Sequence, residues 1–213
     1  MLHYFLTLAP GIAWTIIVTG LSLIVGIVLG LPIALMRRSP IAALRFIGRF
    51  LIELFRGIPS IVLLFIVFYG IGSGRIQVSP LAAAVVTLGL VCSAYMAEVY
   101  RSAFGSITFG QWEASEVIGL TKWDTLWHVI LPQAVRVAIP SMATIAIGTL
   151  KDSAVASTVG VIDVTALAVI QTNQTLEGIK IYTIAALIYI GLSAPFAVSS
   201  RWLHAKLSKR VSR

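Results

Sequence analysis

From Gly11 to Met36 the chain runs 26 residues without a single charged side chain. A helix rising about 1.5 Å per residue needs roughly 20 such residues to cross a hydrocarbon layer of about 30 Å. A helix on the surface of a soluble domain keeps a charged face, and this one has none. The segment therefore predicts a membrane span and sets the solvent for the rest of the chain. Composition agrees, with 58% hydrophobic and 11% charged residues over 213 positions, against roughly 45–50% and 25% in soluble domains. The expectation is one all-α integral membrane domain covering 1–213.

Five spans are predicted, at about 11–36, 46–71, 81–100, 137–150 and 181–200. Arg37, Arg38, Ser39 and Pro40 close the first. The first half of the second carries Arg49, Glu53 and Arg56 before Gly57 and Pro59 interrupt it, so only the part from Ile58 onward suits lipid. Gly72-Ser73-Gly74-Arg75 through Ser79-Pro80 reads as a turn on the outside. Residues 101–136 are too charged to cross and too periodic to be disordered, which makes them a long cytoplasmic loop. Span four ends at Lys151-Asp152. The stretch 159–180 is mixed, with a turn at Thr172-Asn173-Gln174, and belongs at or beyond the outer face. A helix near 165–170 would be too short to span. Span five contains Pro195.

This layout puts twelve Lys or Arg in the cytoplasmic segments and only Arg75 and Lys180 outside. The asymmetry places the N-terminus outside and the C-terminus in the cytoplasm. It also accounts for the net charge of +8 without a nucleic-acid partner, because the basic residues sit at the ends of apolar runs. Met1 to Phe5 lacks the basic region of a secretory signal, so the first apolar run stays as a span. Cys92, the one cysteine, lies within an apolar run and reads as packing. The spacing of Gly26 and Gly30 is that of a small-residue helix contact, though such spacings also arise by chance.

The most informative segment is Gly110-Gln111-Trp112-Glu113-Ala114-Ser115-Glu116-Val117-Ile118-Gly119, continuing to Val129-Ile130-Leu131-Pro132-Gln133-Ala134. It reads as a helix, a glycine break and a second helix. Glu113 and Glu116 sit in the first two turns, where acidic groups offset the positive helix end. Gly119 suits a left-handed cap, and the second helix, from about Lys122 to Leu131, stops at Pro132. Trp112, Ala114, Val117 and Ile118 supply an apolar surface. From the residues alone, that surface lies on lipid or docks on another protein.

Glu113-Ala114-Ser115, three residues, Gly119, nine residues, then Val129, Leu131 and Pro132 resembles the signature loop of membrane subunits of bacterial ABC importers. Ser115 stands where the family has Ala, and Val129 where it has Ile. The resemblance covers most of the chain and points to the polar amino-acid branch. Glu53-Leu54-Phe55-Arg56-Gly57-Ile58-Pro59 is similar to that branch's span-two motif, with Ile58 where Thr is usual. Ser93-Ala94-Tyr95-Met96-Ala97-Glu98, Gly110-Gln111-Trp112-Glu113 and Leu150-Lys151-Asp152-Ser153 are further matches in the right order.

The resemblance implies a permease subunit of the bacterial inner membrane that translocates a polar amino acid, or another small polar solute such as an opine or amino-acid derivative. It implies that Gly110, Gln111, Glu113, Ala114, Ser115, Gly119, Leu131 and Pro132 couple the spans to a separate ATP-binding-cassette ATPase, present in two copies. ATP and Mg would be used by that ATPase and no cofactor by this chain. A second permease subunit, identical or related, and a periplasmic or lipid-anchored substrate-binding protein complete the expected set of partners.

The intramembrane charges Glu53, Arg56, Glu98, Lys151 and Asp152 need partners, because a bare charge in hydrocarbon costs at least a few kcal/mol. Either they pair with one another, for example Arg56 with Glu53 and Lys151 with Asp152, or they meet the ammonium and carboxylate of a substrate. With Tyr95 they form the candidate substrate pathway. No Gly-x4-Gly-Lys-Ser/Thr loop, His-Glu-x-x-His pair or Gly-x-Ser-x-Gly elbow occurs, which argues for a subunit that is not an enzyme. His3, His128 and His204 are too scattered for a metal site. A secondary carrier, the other rival, commonly shows two related halves, and five spans do not divide that way.

Overall fold

The computed structural model describes residues 1–71 and 77–208, and among these there is no β-strand. Helix α1 (Leu2–Leu8) leads into α2 (Pro10–Arg38), which has proline at its first turn. Then come α3 (Ala42–Gly57), α4 (Ser60–Phe65) with a π-helical turn Ile66–Ile71, and α5 (Pro80–Gly105). The second half contains α6 (Phe109–Val117), α7 (Lys122–Asp124) with a π-helical turn Thr125–Ile130, and α8 (Leu131–Asp152). A 3-10 segment Ser153–Val159, α9 (Val164–Thr175) and α10 (Gly178–Ser208) complete the chain. Four continuous helical stretches among the described residues are long and apolar enough to cross a membrane, and α3 with α4 makes a fifth if the bent pair is one span.

The centre of the bundle is the pair α2 and α5. On α2 the buried residues are Gly11, Thr15, Val18, Thr19, Ser22, Gly26, Gly30, Ile33 and Ala34, a stripe at helical spacing made mostly of small side chains. The opposite face exposes Ile16, Ile24, Val28, Leu31 and Leu35. This arrangement is expected where lipid offers aliphatic side chains as good a solvent as a protein core does. A Cβ at Gly26 would lie 2.7 Å from Cys92 Cβ, and one at Gly30 would lie 2.7 Å from Met96 Cβ. Both glycines are therefore real contact points, and Cys92 is a packing residue at 2% exposure.

Three expected boundaries need correction. Span two is not one straight helix, because α3 and α4 meet at 101°. Proline at 59 pushes Ile58 into extended geometry, φ −93° and ψ 129°, and α3 ends at Gly57. The apolar α4 then turns into the bundle, while α3 lies against the end of α2 with Gly48 packed on Met36 and Arg37. Span four is also longer than 137–150, since the helix runs without interruption through Lys122–Val159. Pro132 does not stop it: the wide turn Thr125–Ile130 precedes the proline, which falls in the first turn of α8. There the missing N–H and the bulk of the ring are tolerated. Finally, the expected turn at Thr172-Asn173-Gln174 is helical, and the chain reverses at Leu176, φ 59°. At 12 residues α9 is a real helix too short to span.

The helix starts follow local chemistry. Ser79 accepts a hydrogen bond from the Ala82 amide, 3.2 Å, and Pro80 occupies the first turn of α5. The turn expected at Gly72-Ser73-Gly74-Arg75 lies outside the described residues. Pro195 sits inside α10 without ending it.

Candidate functional site

At the end of the bundle that carries Arg37, Arg38 and Arg101, α6 and the turn after it project from the spans. Ser115 is the buried residue of α6, 2% exposed, and its hydroxyl donates to the Gln111 carbonyl at 2.7 Å. The extra oxygen relative to alanine is thus satisfied within the helix. Glu113 and Ala114 are exposed, as are Phe109, Val117 and Ile118, the last two at 86% and 73%. Gly119 adopts φ 77°, the left-handed conformation that costs an L side chain strain. Its amide donates to Glu116 O at 3.0 Å, and that of Leu120 to Ser115 O at 3.0 Å, closing the helix end. Nothing lies within 4 Å of where a Cβ at Gly119 would sit, so torsion rather than space calls for glycine.

After the cap, the Thr121 hydroxyl accepts from the Asp124 amide, 3.1 Å, and starts α7. Trp123 and Trp127 stack edge to face at 5.5 Å, both largely exposed. One side chain ties the projection to the spans: Gln133 Nε2 donates to Gln111 Oε1 at 3.1 Å and to Val129 O at 2.9 Å. Gly110, Gln111, Glu113, Ala114, Ser115 and Gly119 thus form one projecting unit, with Leu131 and Pro132 at its junction with α8. Gln133 is absent from the expected set, although its position one residue after Pro132 gives the signal.

The candidate pathway residues fall in four separate places. Arg56 lies with its guanidinium 4.9 Å from the centre of the Tyr95 ring, an attraction worth roughly 0.5–2 kcal/mol. Tyr95 and Asp152 line one cavity of about 280 Å³ between α5 and α8, with Leu88, Cys92, Thr144 and Thr149 among its walls. Lys151 faces elsewhere, into a crevice of about 380 Å³ between α8 and α10 that Tyr189 also lines. The expected pairs Arg56–Glu53 and Lys151–Asp152 do not form among the described residues. Glu53 pairs instead with Arg49 one turn earlier, 3.7 Å. Neighbouring residues on a helix point about 100° apart, which separates Lys151 from Asp152. Glu98 is partly buried, bound to Arg101 at 2.7 Å and to Arg37 at 3.8 Å. It locks α5 to the end of α2.

Asp163, between spans four and five, is a charged residue that the sequence did not single out. It is fully buried. Its carboxylate accepts from the Ala166 amide at 2.8 Å, capping α9, and from the Tyr189 hydroxyl at 3.3 Å. Burial pushes its carboxyl up to about 6. A carboxyl raised in the folded state takes up its proton at a higher pH than in the unfolded chain, so folding gains as pH falls through that window. The melting temperature of the wild-type protein in detergent should therefore rise relative to that of Asp163→Asn as pH drops from about 7.5 to about 5. Parallel pH profiles for the two proteins would contradict this.

The family described as "Binding-protein-dependent transport system inner membrane component" matches residues 22–213. The probable amino-acid ABC transporter permease protein YckA of Bacillus subtilis is 35% identical over 94% of this chain and 89% of its own length. The L-cystine transport system permease protein TcyB of the same organism is 39% identical over 85% and 78%. Among solved structures, an amino acid ABC transporter with histidines superposes with a TM-score of 0.88 at 30% identity, covering 97% of this chain and 96% of that one. An inward-facing MetNI methionine ABC transporter shares the fold, with a TM-score of 0.77 at 22% identity over 94% and 95%.

Proposed function

Because the chain belongs to the family of binding-protein-dependent transport system inner membrane components, we propose that it forms half of the translocation pathway of an ATP-driven importer of a polar amino acid. The observation that carries this reading is the projecting α6 unit. Its apolar side chains Val117 and Ile118 are exposed while Gln133 binds it to the foot of α8. A helix held in this way moves as one body with the span it is tied to. In this account α6 seats in a groove on an ATP-binding-cassette subunit, Glu113 is its polar anchor, and closure of two such ATPases around ATP and Mg moves α8.

Two copies of the chain, or the chain and a related subunit, enclose the pathway, and a capture protein delivers substrate from outside. The names of the relatives, among them permeases for L-cystine and probable permeases for amino acids, support an amino acid as cargo. A Val117→Cys variant should crosslink to an ATP-binding-cassette subunit co-expressed with it. A chain that purifies free of any such subunit argues against the reading.

Asp152, on the wall of the cavity shared with Tyr95, is the residue proposed to meet the substrate ammonium, with Arg56, over the Tyr95 ring, as the counter-charge for the carboxylate. Asp152→Lys is expected to change the order in which amino acids compete for uptake, with the original substrate losing at least about tenfold, the size of a lost charge contact. Equal loss for all amino acids, in proportion to protein amount, would assign Asp152 to folding alone.

A further inference from the structure

The 3-10 segment Ser153–Val159 leaves the pathway corner at Lys151 and Asp152 and packs inward, with Ala156 and Val159 in the same cluster as Val18, Leu64 and Leu88. Gly160 reverses the chain at φ 99°, and the Val161 amide donates back to Ala156 O at 3.2 Å. The far end of this segment meets α2 and α10 at Asp163. A Cβ at Gly11 would lie 2.5 Å from the Asp163 carbonyl carbon, and the Val164 amide points to the Thr15 hydroxyl at 3.4 Å. On the other side Tyr189 divides its contacts. Its hydroxyl binds the Asp163 carboxylate and lies 2.9 Å from the Thr165 hydroxyl, while the residue also lines the crevice that contains Lys151. The 153–163 segment therefore connects Asp163 to the corner at Lys151 and Asp152, and Tyr189, held by Asp163, forms part of the wall of the crevice that Lys151 lines.

We propose that Asp163 is a positioning residue for the translocation pathway: clasped between α2 and Tyr189, it fixes the far end of the 153–163 segment and with it the directions in which Lys151 and Asp152 project. Desolvation disfavours a carboxylate at this depth, and Asn caps a helix about as well as Asp. The side-chain geometry is thus the part that matters, and asparagine should preserve it where alanine does not.

The transport part of the test rests on the proposed function, and hydrogen exchange of the chain in detergent does not. Asp163→Ala should accelerate amide exchange across 153–163 while leaving α6 unchanged, and Asp163→Asn should stay near wild type. In the reconstituted importer Asp163→Ala should lower uptake per complex by about fivefold, with ATP hydrolysis in the absence of capture protein within about twofold of wild type. A general folding defect would lower both together and would overturn the proposal. If Asp163→Ala does not fold, Tyr189→Phe removes only the hydroxyl and should reproduce the faster exchange. Unchanged exchange in both variants would also overturn it. Should the wild-type chain carry no amino acid at all, the functional reading fails while the exchange result still decides the role of Asp163.

Discussion

Gly119→Asp is expected to abolish ATP-driven uptake while the chain still inserts and folds in the membrane. Glycine holds φ 77° at the end of α6 in open space, so the replacement meets no clash. An L residue there bears a strain of roughly 1–2 kcal/mol, and aspartate tolerates the conformation better than most. That is too little to unfold a bundle built on the α2–α5 pair. The charge brought to a docking surface matters more, since burying an unpaired carboxylate at an interface costs about 3–5 kcal/mol. Gly119→Ala separates the two effects, because it adds strain without charge. The account predicts that the alanine variant keeps most of its uptake and the aspartate variant falls to background. Normal uptake by purified, reconstituted Gly119→Asp protein would remove the docking role from this turn.

The second large effect is structural. Gly26→Leu should prevent accumulation of folded protein, because a Cβ at position 26 already meets the Cys92 side chain, with its Cβ at 2.7 Å, and the backbone carbon behind it at 3.2 Å. Larger side chains force two spans apart along their whole contact, and overpacking of this kind exceeds the roughly 1–3 kcal/mol of an ordinary misfit. Gly20→Leu is the control, as nothing lies within 4 Å of a Cβ there. Detergent-extracted Gly20→Leu should elute as a single species by size exclusion, and Gly26→Leu should aggregate. Equal behaviour would mean that the two helices do not meet as described.

What the sequence reveals here depends on how local the determining physics is. Spans one, three and five follow from hydropathy because lipid acts on each residue separately. The left-handed cap at Gly119 is legible for the same reason, since a torsion belongs to one residue. The 101° bend between α3 and α4 is not: Gly57 and Pro59 announce a break, but its angle depends on where α4 finds room beside α5. Continuity through Pro132 was hidden because a wide turn ahead of a proline leaves no compositional mark. The divergence of Lys151 and Asp152 was available from helix geometry alone, since consecutive residues cannot share a face. Asp163 carries no local signal, because the groups that hold this corner are remote in sequence. Thr15 lies 149 positions from the Val164 amide it receives, and Tyr189 lies 26 from Asp163, so only the fold brings them together.

Uptake of a labelled amino acid into proteoliposomes tests the central claim most directly. The chain is reconstituted with its partner permease subunit, the ATPase and the capture protein, with ATP sealed on the ATPase side. Accumulation should require ATP and the ATPase together, and should disappear when either is omitted. Accumulation by the chain alone, driven by an ion gradient without the ATPase, would contradict the account.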